Sequence, residues 1–110
     1  MIWLSFIVNV VVLVPVLAGI WRDHPRMTEV FGPDTPARRV LACFYATILC
    51  ASLAALVFPD KAGEIAHTLF PLQILYKLMS LPALGLRHPV ARVNAAVAAL
   101  HTATMVTFYT

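Results

Sequence analysis

The chain has 110 residues, of which 61% are hydrophobic and 12% charged, with a mean hydropathy of +0.85, and that balance excludes an ordinary water-soluble globule. Its net charge of +3 and pI near 9.2 would suit nucleic acid, but only eight Lys and Arg carry it. Six of them sit in the 22–39 and 87–92 connections beside the ends of apolar stretches, where basic residues set membrane topology, so no nucleic-acid partner is expected.

The first stretch, residues 2–21, holds no Asp, Glu, Lys or Arg. A bilayer core is crossed by about 20 apolar helical residues. No basic residue precedes this run, and it exceeds the ~7–15 apolar residues of a cleaved signal, so a retained membrane helix is expected. Trp3 and Trp21 mark its two ends, and Tyr109 marks the far end of the last stretch, as interfacial aromatics do.

The connection 22–39 carries Arg22, Arg26, Arg38 and Arg39. Pro25, Gly32, Pro33 and Pro36 predict a non-helical loop, because proline lacks a donor and restrains its predecessor. Asp34 or Thr35 ahead of Pro36 has the pattern of a helix cap followed by proline in the first turn. Arg38 and Arg39 read as topology signals, with generic attraction to anionic lipid headgroups as the alternative.

The second stretch, 40–58, contains Cys43 and Cys50. Two helical turns separate them by about 10 Å, too far for a mutual disulfide. Buried, inert small residues are expected there. Rows of small residues, Ala46–Cys50–Ala54 among them, suit close helix packing in lipid, where apolar surface alone does not drive association.

The third stretch, 65–86, is interrupted by Pro71 and Pro82 and contains Lys77, the residue costliest to place in a bilayer. The last, 90–109, carries Ala91, Ala95, Ala99 and Ala103 at a spacing of four, a second packing row. If these two helices form an antiparallel hairpin about the 87–92 corner, Gln73, Lys77, Asn94 and His101 form one polar seam between them. Such a seam either stitches helices together or serves as a ligand or ion path. His67 and His101 lie on different helices, the minimum set for a haem iron, but their spacing is generic; no cofactor and no metal are expected. No nucleophile elbow, phosphate loop, HExxH motif or carboxylate pair occurs, so no enzyme is expected.

The sequence thus predicts an all-α polytopic membrane protein, a single domain (1–110) with four helices spanning 2–21, 40–58, 65–86 and 90–109. Arginine placement puts the 22–39 and 87–92 connections in the cytoplasm and both termini outside, in a bacterial-type inner or plasma membrane. The expected function is non-catalytic: an accessory or assembly subunit packing against other membrane subunits or itself. A small homo-oligomeric transporter or channel built on the polar seam is the alternative.

Overall fold

A computed structural model describes residues 2–109, with the Tyr109 side chain outside the description. The described residues form five α-helices: α1 (Ile2–Trp21), α2 (Pro25–Phe31), α3 (Pro36–Val57), α4 (Ala62–Leu84) and α5 (Pro89–Tyr109), with a single 3-10 turn at Pro59–Lys61. The four long helices fall within a few residues of the four apolar stretches.

Two of them, α1 and α3, are long and apolar enough to cross a membrane, with mean hydropathies of 2.4 and 2.3. Length and apolarity alone are also met by a soluble core helix or a signal sequence. Here only 22% of each apolar window is buried within the bundle, so these are not helices sheathed by the rest of the fold.

The connection 22–39 is not wholly irregular, contrary to the expectation from its prolines. Pro25 occupies the first turn of α2, His24 Nδ1 accepts from the Arg26 amide, and Gly32 closes the helix at φ +86°. Proline at the start and glycine at the end delimit a helix instead of breaking one. Thr35 caps α3, its hydroxyl accepting from the Arg38 amide at 3.4 Å with Pro36 next in line. Pro71 and Pro82 do not interrupt α4 either; the helix continues through both.

The chain pairs α1 with α3 and α4 with α5, and the two pairs close on each other. Near the termini the closure is tight. Phe6, Ala55, Ala62, Ala66 and Phe70 form a buried cluster, with the Phe6 and Phe70 rings 4.8 Å apart. A second cluster of Leu13, Tyr45 and Ile48 lies toward α2, whose Phe31 meets the Tyr45 ring edge-on. On the long helices buried positions recur at three- or four-residue spacing, such as Ser5, Asn9 and Leu13 on α1 or Ala66, Phe70, Gln73 and Lys77 on α4.

The packing rows are divided between the interior and the surface. Ala91 is fully buried, but the inner face of α5 continues through Asn94, Ala98, His101 and Thr104, leaving Ala95 half-buried and Ala99 and Ala103 exposed. On α3, Ala46 and Ala54 are half-buried. Cys43 and Cys50 are free and exposed, so the expectation of buried cysteines is overturned. The strict four-residue row drifts around a 3.6-residue helix, and the heavier polar side chains of α5 take the interior.

Arg39 and Asp34 form a two-bond pair, both contacts at 3.0 Å. The bond from Arg39 lowers the Asp34 pKa below its ordinary 3.8. Its stabilising effect is therefore present above that value and is lost as pH falls through the lowered one. Both groups are solvent-exposed, so Arg39→Gln is expected to leave the thermal midpoint unchanged at physiological salt.

Candidate functional site

Between its apolar clusters the bundle interior buries a set of polar side chains, while large apolar side chains stand on its exterior. Ser5, Asn9, Ser52, Gln73, Lys77, Asn94, His101 and Thr104 are all buried. Large apolar side chains stand outward on each long helix: Ile7 and Val11 on α1, Phe44 and Leu53 on α3, Leu72, Leu75 and Met79 on α4, Val93, Val106 and Phe108 on α5.

Two polar clusters replace the single seam. At the first, Asn9 of α1 joins three other helices. Its amide exchanges two hydrogen bonds with the Gln73 amide, at 2.9 and 3.2 Å, and donates to Ser52 Oγ at 3.1 Å. The His101 Nε2 lies 2.9 Å from Asn9 Oδ1. Because that oxygen only accepts, Nε2 must carry the proton, which leaves Nδ1 as a bare acceptor. Nδ1 is buried and has no hydrogen-bond partner among the described residues. The His101 ring stacks on Phe70, centroids 4.5 Å apart and planes within 6°. One turn further toward the termini, Ser5 Oγ and Thr104 Oγ1 meet at 2.6 Å and tie α1 to α5.

At the second cluster, Lys77 Nζ donates to Asn94 Oδ1 at 3.1 Å, and Asn94 Nδ2 donates to Ser80 Oγ at 2.9 Å. Ser80 in turn donates to the Lys77 carbonyl at 2.5 Å. The Lys77 nitrogen also lies 4.9 Å from the centre of the Tyr76 ring. Among the described residues no carboxylate pairs with it. All four seam residues are thus interior: Lys77 and Asn94 bond directly, whereas Gln73 and His101 meet through Asn9.

Beside Lys77 the two helix pairs part and leave a cavity of about 370 Å³, open on one side. Val12, Leu13 and Val16 of α1, Tyr45 of α3, and Val90, Val93 and Asn94 of α5 line it, and Arg26, Met27, Val30 and Phe31 of α2 close its end. That α2 and the start of α5 share this cavity places the 22–35 and 85–88 connections at one end of the bundle.

His67, the other histidine considered for haem, is exposed near the start of α4. Its Nδ1 lies 2.7 Å from the Gly63 carbonyl and its ring packs on Phe108. Among the described residues no group of three or more His, Cys, Asp or Glu is placed to hold a metal.

Sequence reasoning missed Asn9 as the hub, Ser52 and the Ser5–Thr104 link. Ser5 and Asn9 fall one turn apart, so a polar stripe on α1 was there to be read. No protein-family model, no curated protein and no solved structure matches the chain.

Proposed function

We propose that the chain is an integral membrane protein whose four long helices cross the bilayer around a hydrogen-bonded polar core, and that it serves as a non-catalytic subunit seated against other membrane helices. The burial of these polar side chains beneath an exterior of large apolar ones carries the membrane reading. In water, exposing Leu72, Leu75, Met79 and Phe44 while burying Lys77, Gln73, Asn9 and His101 would cost on both counts. In lipid the same arrangement satisfies the polar groups internally and leaves apolar side chains to the acyl chains. The arginine-bearing end then lies in the cytoplasm, with both termini outside.

The subunit role is supported by the outward-turned small residues. Ala99 and Ala103 present a shallow surface on α5, where another helix backbone can approach closely. Extraction of membranes with alkaline carbonate is expected to leave the protein in the pellet; release into the supernatant would refute bilayer integration. Purification from native membranes in mild detergent is expected to yield a defined complex. Ala99→Leu with Ala103→Leu should dissociate that complex while leaving the fold intact, whereas Ala91→Leu, at a buried site, should damage the fold itself.

A second reading, a small homo-oligomeric transporter, is favoured by the position of Lys77 on an open cavity. It predicts flux of an anionic solute into liposomes containing this chain alone and the loss of that flux in Lys77→Met. An inert proteoliposome removes it.

A further inference from the structure

We propose that the cavity between the two helix pairs binds a single-chain amphiphile with an anionic headgroup, a long-chain carboxylate in kind, with Lys77 as the counter-ion. The inference requires bilayer placement but stands apart from the subunit role.

Lys77 is only 5% exposed and lines this cavity, and its hydrogen-bond acceptor is the neutral Asn94 amide oxygen. A charged ammonium buried without an anion is costly, and the cost falls when an anion enters beside it. The cavity wall contains a second cation, Arg26 on α2, and no acidic residue. Its charge complement is therefore an anion. Apart from the two cations, only Tyr45 and Asn94 on the wall can hydrogen-bond, and Asn94 is already engaged with Lys77 and Ser80; the rest, Val12, Leu13, Val16 and Val93 among it, is apolar and a poor match for a compact, highly hydrated anion. An aliphatic chain fits that wall, and the open side lets the chain continue into surrounding lipid. The volume is at the lower end of the ~300–1,000 Å³ usual for small-molecule sites, room for a headgroup and the first part of a tail.

The test is titration of the purified protein in nanodiscs of neutral lipid with oleate, oleyl alcohol and inorganic phosphate, read by displacement of a fluorescent fatty acid. Oleate is expected to saturate at one per chain and to bind at least about tenfold more tightly than oleyl alcohol, the loss expected when a charged hydrogen bond is removed. Phosphate should not compete. Lys77→Met is expected to weaken oleate by about ten- to a hundredfold. Val12→Phe, which fills the cavity and keeps the ammonium, should abolish binding. Equal affinity for the alcohol, competition by phosphate, or full affinity in Lys77→Met each overturns the proposal. The comparison of oleate with its alcohol uses only the unaltered chain, so it decides even if a variant fails to fold. Failure here leaves carbonate extraction and complex formation untouched, and so is distinguishable from failure of the membrane and subunit reading.

Discussion

Asn9→Leu is expected to destabilise the bundle by about 2–4 kcal/mol, the largest effect of any single polar-to-apolar exchange in the interior. The substitution removes partners from Ser52, Gln73 and His101 at once. Interhelical hydrogen bonds in membranes average only about 0.6 kcal/mol, which sets the floor near 2 for the four bonds lost. Stripped polar groups in a dry interior cost more, about 1–3 kcal/mol each, which raises the ceiling. Reversible unfolding in mixed detergent micelles measures the difference, with Val11→Leu on the outer face of α1 as the near-neutral control. The pair Asn9→Leu and His101→Leu should be less than additive, because the second exchange removes a group the first has already orphaned. A change within about 0.5 kcal/mol for Asn9→Leu would show that the hub is not holding the helices together.

The hub also shows what could and could not be read beforehand. Helix positions follow from the apolar runs because the spacing of charges along the chain is coarse and the bilayer length scale is fixed. The pairing of Lys77 with Asn94 follows from counting outward from the 87–92 corner, since a tight antiparallel hairpin leaves little freedom in register. Asn9 could not be located by that counting. It sits in α1, and the rotation of α1 against the α4–α5 pair depends on which side chains complement one another across helices distant in sequence. The alanine row on α5 could not be oriented from sequence for a related reason. A spacing of four identifies a stripe, but it does not say whether the stripe faces inward, and the competing stripe of Asn94, His101 and Thr104 has the stronger claim on a satisfied interior. In the 22–39 connection the same residues that forbid a helix interior are those that begin and end one, so Pro25 and Gly32 were legible as boundaries only once the segment between them was seen to be long enough for two turns.

Arg38→Met is expected to cost about 1.5–3 kcal/mol and, more tellingly, to release α2. The guanidinium is buried, and it reaches both ends of the short helix: Nη2 donates to Asp23 Oδ1 at 2.6 Å just before α2, and Nη1 donates to the Gly32 carbonyl at 3.1 Å just after it. Asp23, held at φ +52°, is largely exposed and rehydrates when its partner is lost, which puts the expected value toward the lower bound. Arg38 is thus a clamp between α3 and the connection, a role its reading as a topology signal did not include. Arg38→Lys should recover only part of the loss, because one ammonium cannot reproduce a forked contact to two acceptors. With the clamp removed, α2 retains Phe31 against Tyr45 and Met27 against Gly19, too little to hold seven residues in place against fraying. Hydrogen exchange of the amides in Pro25–Phe31 should accelerate in Arg38→Met while those of α4 and α5 stay protected. Since α2 closes one end of the cavity beside Lys77, oleate should also leave the variant faster than the unaltered chain, at an association rate little changed. Unaltered exchange in α2 would mean that packing, not the guanidinium, keeps that end of the bundle shut.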